Sequence, residues 1–473
     1  MNTDSKTNNN YLIWAAISLL LTSSIFMWLP AINTPYWGDD YSFLLSAKIA
    51  SESGQPWWSA FWPAIEFKFW RPLSQETWWR FVYDSLGAKA HLAHLANLVL
   101  LLFGAASVGI LAYSVAFACK WQQPLATALF AGTFYSGYSL HFLPVHWAAA
   151  ANSSILVLFT CLTLSAWVVA PFAQKNMRIL LLIFVVLFLI SALLSKESAA
   201  LLPILMLLLS FFSGRKATRF PDVLTLMLCV LVIFIWLFLR EMFTTDIDPQ
   251  YDLELSSNVA RNIFSLISWV FNIPREALRF IAVEDRAHGI AWAIIVSGPM
   301  FLTWILGLIG AKSASFKREF LTAFLFMVVA YIPYLFLAWN SYAYYAAVAV
   351  ILPTILLAKG ATSGKNVILI ALLFCVSSWL AVDLSRKLDH PGLIGRAYWA
   401  ESTLTHLEQI DFSNHLSVAA AENQRFYSIG IAGLAWRLGL PRESISIVSS
   451  CKEAQTTCLA ITTEGRLEIF ESP

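Results

Sequence analysis

Runs of apolar residues, each close to 20 long and separated by short polar stretches, recur along most of the chain. A helix rises about 1.5 Å per residue, so a run of that length crosses the roughly 30 Å hydrocarbon core of a bilayer. The pattern predicts spans over about residues 11–30, 91–117, 124–141, 148–170, 178–194, 198–213, 221–240, 288–310, 319–338, 343–358 and 366–382, about eleven helices in all. The first run follows a polar leader, Met1 to Asn10, with one Lys and no small-residue cleavage site before the next acidic pair. It is therefore expected to stay as an anchor.

Composition agrees with that pattern: 58% of residues are hydrophobic and only 13% are charged, which excludes a soluble globule. The cations sort by connection. Lys120; Lys175 and Arg178; Arg215, Lys216 and Arg219; Lys312, Lys317 and Arg318; and Lys359 and Lys365 all fall on one side, and the alternate short loops are nearly bare of them. By the positive-inside rule the N-terminus is cytoplasmic, and the loops at Asp39, His141–Trp147 and Ser195–Ser198 lie outside with the tail. The expected location is the inner membrane of a bacterium, with membrane lipids as neighbours and no nucleic acid partner.

The organisation expected is an α-helical polytopic domain over residues 1–382 and a small external C-terminal α/β domain over 383–473. Within the first, a loop over 31–90 concentrates Trp57, Trp58, Trp62, Trp70, Trp78 and Trp79, a density suited to helices lying among lipid headgroups or to anchoring alone. A second long loop, 241–287, carries Asp246, Asp248, Asp252, Glu254, Arg275, Arg279, Glu284 and Asp285 around a helical stretch, Asn258 to Phe280, and reads as either a lid or a scaffold. In the tail, Ser444–Val448 and Leu459–Phe470 read as two or three short strands with a turn at Glu464-Gly465. Four of the six cysteines sit in or beside apolar runs as small filler, whereas Cys451 and Cys458 flank a polar loop and suit a disulfide.

Chemistry concentrates on the expected outer side. The segment Tyr36-Trp-Gly-Asp-Asp-Tyr41 puts Asp39 and Asp40 where lipid meets water, a costly place for charge unless it is solvated, paired or used. Adjacent side chains at a helix start diverge, so the two are not expected to share one job, and capping of the helix that begins near Tyr41 is the plainer alternative. His91, His94, His141 and His146 share that face, and His91 and His94 have the i, i+3 spacing that can bind a metal. The run Tyr342, Tyr344, Tyr345 suits stacking on a sugar or an interface belt.

The acidic pair is followed by Trp70-Arg-Pro-Leu-Ser74, by Leu86-Gly-Ala-Lys-Ala-His-Leu-Ala-His-Leu-Ala-Asn97, by Leu143-Pro-Val-His146 and by Ser195-Lys-Glu-Ser-Ala-Ala-Leu-Leu-Pro203. In this order the chain resembles the GT-C membrane glycosyltransferases, nearest the protein O-mannosyltransferase and TPR-bearing O-mannosyltransferase branch and its bacterial relatives. The likeness covers about residues 12–210 well, the later helices in architecture, and the tail not at all. It implies transfer of a sugar, hexose or pentose, from a polyprenyl-phosphate carrier to a lipid, glycan or protein acceptor on the outer face. In that reading Asp40 is the base for the acceptor hydroxyl and Asp39 orients it or a metal. Arg71 and Lys196 hold the donor phosphate, one as a fork and the other as a point charge. Arg71 binding lipid headgroups and Lys196 pairing with Glu197 are the plainer alternatives. Glu197, His146, Tyr342 and Tyr345 line the substrate.

A divalent metal, Mg or Mn, on Asp39 and His146 is the one cofactor implied. The sequence departs from the branch here: Trp147, Ala148 and Ala149 follow His146, where an acidic residue is common. The tail also lacks the repeating helix pairs of the TPR-bearing members. Two other readings stay open, a transporter or flippase of a lipid-linked substrate and a ligase of a preassembled glycan. No Gly-rich phosphate cradle appears on the cytoplasmic side, which disfavours a soluble nucleotide donor.

Overall fold

The computed structural model describes residues 3–62, 69–214, 220–243, 252–274, 283, 285–338, 342–387, 394–410, 415–419, 425–454, 457–462 and 467–470. The chain opens with α1 (Thr3–Trp28), α2 (Asp39–Glu52), α3 (Trp78–Leu86), α4 (Ala90–Ala118), α5 (Pro124–Ser136) and the short α6 (Phe142–His146). It continues through α7 (Ala151–Val169), α8 (Lys175–Leu193), α9 (Leu202–Phe212), α10 (Phe220–Phe243) and α11 (Ser257–Val270). Then come α12 (Arg286–Gly310), α13 (Phe316–Leu335), α14 (Ile351–Ser363) and α15 (Val367–Lys387). The C-terminal part holds α16 (Ile394–Leu407), β1 (Leu416–Ala419), α17 (Gly430–Leu438), β2 (Ile445–Ile447), β3 (Cys458–Ile461) and β4 (Leu467–Phe470).

Among the described residues, 8 helices are long and apolar enough to cross a membrane, and the chain is an integral membrane protein. Three expected spans come out short, α5, α9 and α14. Each gives way, at the end of the bundle that carries the Asp39 loop, to tight turns: Ser139–His141 after α5, Glu197–Leu201 before α9 and Ala343–Ala346 before α14. Irregular backbone at that depth is tolerated only where protein or a polar cavity satisfies it. The unwound ends carry the motifs singled out above.

Small residues bring the helices close. A Cβ on Gly132 would stand 2.8 Å from the Ala105 carbonyl, and one on Gly109 3.0 Å from that of Ala128, so α4 and α5 touch backbone to backbone. Gly307 and Gly310 of α12 meet Gly360 of α14 more closely still, a Cβ on Gly360 falling 1.8 Å from the Gly307 carbonyl. Gly360→Val is expected to lower stability by more than about 3 kcal/mol, because backbone cannot repack around the added methyls. Thermal unfolding of purified protein checks this, with Gly298→Ala, where a Cβ meets nothing within 4 Å, as the neutral comparison.

The cations expected inside pair at the other end of the bundle. Lys359 meets Glu319 at 2.5 Å and Arg178 meets Asp222 at 2.7 Å, both largely buried. Arg215, Lys216 and Arg219 lie outside the described residues.

In the long loop the described helix is α11. Its Asn258 and Asn262 side chains donate to the carbonyls of Tyr334, Leu335, Phe336 and Leu337, closing the frayed end of α13. That is a scaffold contact. Asp246, Asp248, Arg275, Arg279 and Glu284 lie outside the described residues. Of the loop tryptophans, Trp57, Trp58 and Trp62 are exposed, but Trp70 and Trp79 are buried, so the cluster divides between surface and core.

The C-terminal sheet runs β2-β1-β3-β4, with β1 parallel to β2 and to β3 and β4 antiparallel to β3. Strand β1 escaped the sequence reading because Leu416-Ser-Val-Ala419 is only four residues long, too short for its alternation to stand out. Cys451 and Cys458 are joined as a disulfide. The expected turn at Glu464-Gly465 lies outside the described residues.

Candidate functional site

The site is assembled by loops that each bind another loop. Asp40 ties the first to the second: its carboxylate accepts the Trp37 N–H at 3.1 Å and the Ala149 N–H at 2.7 Å. From α4, His94 Nδ1 donates to the Val145 carbonyl at 3.0 Å, and Asn97 donates to Pro144 and Ala148 at 3.0 and 3.1 Å. Trp147 stacks near Trp37, 5.2 Å between rings, and donates to its carbonyl at 3.3 Å. The His-Leu-Ala-Asn end of the second motif is thus a clamp on Leu143-Pro-Val-His146.

The Trp70-Arg-Pro-Leu-Ser74 motif grips the third loop instead. Leu73 N–H donates to the Leu194 carbonyl at 3.0 Å and Ser74 Oγ to the Ser195 carbonyl at 2.7 Å. Arg71 forks onto Glu197, Nε at 2.9 and 3.1 Å and Nη2 at 2.7 Å, with its guanidinium 4.1 Å over the Phe69 ring. Glu197 is also within the field of Arg240, at the end of α10, a residue the sequence reading passed over.

Lys196 turns the other way, into a cage of rings. Its ammonium lies 5.6 Å from Tyr334, 4.8 Å from Tyr344 and 4.7 Å from Tyr345, in a small cleft also lined by Ser153, Thr160 and Ser198. Burial, followed by the neighbouring Arg71 charge and against the pull of Glu197, pushes Lys196 down to about 7. Tyr334 and Tyr345 stack at 4.3 Å, and Tyr334 donates to Ser198 Oγ at 3.0 Å. Tyr334 was missed because it ends an apolar span, where tyrosine reads as an interface residue. Tyr342, 6.4 Å from Trp147 and 5.7 Å from Tyr345, links the lysine cage to the acidic loop.

Several expectations change. Asp40, the expected base, is fully buried with its carboxylate bound to backbone N–H groups of two loops. Burial holds it well above the usual carboxylate range, against the lowering effect of those N–H groups. Asp39, one residue earlier at the start of α2, is exposed. His146 is buried too: Nδ1 donates to the Phe142 carbonyl at 2.8 Å, and Nε2 accepts from Arg386 Nε at 3.3 Å. No nitrogen is left for a metal. Burial, then the Arg386 charge, holds its imidazole neutral, well below the usual histidine range. His141 is buried and bonds the Tyr135 carbonyl at 3.0 Å, and burial pushes it down to about 3. His91 is exposed while His94 is engaged, so their helical spacing makes no pair. Among the described residues no three His, Cys, Asp or Glu side chains gather as metal ligands, and the set Asp39 with His146 does not fit a divalent cation.

Comparison with known proteins finds no matching family model and no matching curated protein. Among solved structures, the chain is similar to the crystal structure of ArnT from Cupriavidus metallidurans in the apo state, with a TM-score of 0.48 and 12% identity over 92% of this chain and 86% of that one. It is similar also to ArnT from the same organism bound to undecaprenyl phosphate, with a TM-score of 0.46 and 12% identity over 95% of this chain and 93% of that one.

Proposed function

We propose that the protein transfers a sugar from a polyprenyl-phosphate carrier to a hydroxyl acceptor at the outer face of the membrane, with Asp39 as the base. The observation that carries the reading is the convergence of an exposed carboxylate, a half-buried guanidinium and a caged lysine on linked loops at one end of an apolar bundle. The order of motifs shared with GT-C glycosyltransferases supports it.

The chemistry follows from where charge develops. Asp39 removes the acceptor proton as the hydroxyl oxygen attacks the anomeric carbon. The bond from that carbon to the phosphate oxygen breaks, and polyprenyl phosphate leaves with the electron pair. A phosphate leaving group needs stabilisation of charge more than protonation, and Lys196 and Arg71 supply it. Glu197 holds Arg71 while the donor is absent, and Tyr342 and Tyr345 offer ring faces to the sugar or the first isoprene units. Asp40 acts as the tie that fixes the loop carrying Asp39. His146 serves the same framework, and no step is routed through a metal.

The test is release or transfer of sugar from a panel of radiolabelled polyprenyl-phosphate monosaccharides, hexoses and pentoses, by purified protein with a membrane extract. The panel identifies the sugar, and fractionation of the extract into lipid, glycan and protein identifies the acceptor. Turnover of one donor is expected. Folded protein that turns over none overturns the reading and favours a transporter or a glycan ligase.

A further inference from the structure

The C-terminal domain lies against the loop that presents Asp39, and the contacts fall on the residues around it. Gly38 is left-handed, with φ +60°, and its N–H donates to the Ser428 carbonyl at 2.7 Å. A β-carbon there would be strained whatever the space, so glycine is required for the chain to turn into α2 at that bond. Five residues past Ser428, Gly433 of α17 faces the Tyr41 ring, where a Cβ would stand 3.0 Å from Cδ2 and 3.0 Å from Ile429 Cγ2. Tyr41 is buried and is the second residue after Asp39.

Helix α17 is itself held on both sides. Toward the first loop, its Trp436 ring meets Tyr83 edge-on at 6.1 Å and lies 5.9 Å from the Lys48 ammonium. Toward α16, Arg437 binds Glu401 at 2.8 Å and Glu408 at 2.6 Å. Gly430, with φ +61°, supplies the turn that lets Ser428 aim its carbonyl at Gly38 while α17 runs along α2.

We infer that α17 and the Ser428 turn are a positioning element for the transfer site, setting the direction in which α2 presents Asp39. The inference rests on the reading of Asp39 as the base. Asp40 fixes the loop from the membrane side, through Ala149, and Ser428 fixes it from the domain side. The start of α2 is held between them. Displacing the α17 face by a fraction of an ångström turns Tyr41 and with it the first turn of the helix. Donor binding, which uses Arg71 and Lys196 on other loops, stays as it was.

The test is Gly433→Val in the full chain, with kinetics on the donor that the wild type uses. A wedge against Tyr41 is expected to lower kcat about 10- to 100-fold, as misplacement by about 1 Å does for a positioned catalytic group, with KM for the donor within about 2-fold. Gly433→Val combined with Tyr41→Leu, which frees the space the wedge takes, is expected to recover most of the lost kcat. Unchanged kcat for Gly433→Val overturns the inference. A parallel fall in kcat, donor affinity and thermal midpoint without rescue does the same, showing a domain that only stabilises the fold. If the wild type turns over no donor, the reading of Asp39 as a base fails separately. The labelling rate of Asp39→Cys by a water-soluble maleimide, in a Cys119→Ser background, then decides the positioning. A several-fold change in rate on adding Gly433→Val supports it, and an identical rate overturns it.

Discussion

Asp39→Asn is expected to lower sugar transfer by about 10²- to 10⁴-fold, the range of a lost general base, in protein that still folds. The side chain is exposed at the start of α2, where loss of its charge at the helix N-terminus costs only about 0.3–1 kcal/mol. Asp40→Asn is expected to do the reverse. The buried carboxylate accepts N–H groups from Trp37 and Ala149, and an amide has only one oxygen to offer them. The variant should lose about 1–3 kcal/mol for the donor left unmet and retain transfer in the fraction that folds. Because burial raises Asp40, its neutral form is the one the fold favours: that contribution is full below the ordinary carboxylate range and is lost as pH rises through the raised value. Stability of the wild type should therefore fall, more than that of Asp40→Asn, as pH rises above the ordinary carboxylate range. Thermal unfolding across pH, beside transfer assays of both variants, separates the two roles. A folded, inactive Asp40→Asn with a fully active Asp39→Asn returns the base to Asp40.

The apolar pattern gave the bundle, because burial in lipid is written directly into composition. It did not show that α5, α9 and α14 stop short, since Ser139–His141, Glu197–Leu201 and Ala343–Ala346 are only three to five residues long and sit at the ends of apolar runs, too short to break the pattern while their backbone unwinds. Hydropathy reports what a segment is made of and is blind to how it is wound. The motifs were legible as places but not as partnerships. The plainer alternative for Lys196 was a local pair with Glu197, yet Glu197 is taken by Arg71, 126 residues away, and Lys196 by tyrosines of two later segments. His146 looked free for a metal until Arg386, 240 residues on, occupied its second nitrogen. Which of two adjacent aspartates faces the interior depends on how α2 is rotated. That rotation is set by Ala149 and Ser428, and nothing in Gly38-Asp-Asp-Tyr41 encodes either contact. The disulfide was legible because both cysteines flank one short loop, so its closure is a local matter.

Donor affinity should fall as pH rises through about 7, and the fall should belong to Lys196. A sugar esterified to a polyprenyl monophosphate is a diester, with a single negative charge that does not titrate near neutrality, so the change must come from the protein. Lys196, pushed down to about 7 by burial and by Arg71, is an ammonium below that pH and a neutral amine above it. Only the ammonium attracts the phosphate. The same linkage requires bound donor to raise the lysine, so the break in a saturated enzyme moves to higher pH than the break in the free one. Lys196→Met is expected to weaken donor binding at pH 6 by about 10- to 100-fold, the worth of a charge-assisted hydrogen bond of about 1.5–3 kcal/mol. It should also abolish the pH dependence, leaving a weak Kd that is flat from pH 6 to pH 8. Lys196→Arg keeps a charge that does not titrate in this range and should flatten the curve at intermediate affinity, since a planar guanidinium does not fit a cage shaped around an ammonium. Equilibrium binding of the donor at pH 6, 7 and 8 to the three proteins gives the answer. A wild-type Kd that does not change with pH would take the phosphate away from Lys196 and leave it to Arg71 alone.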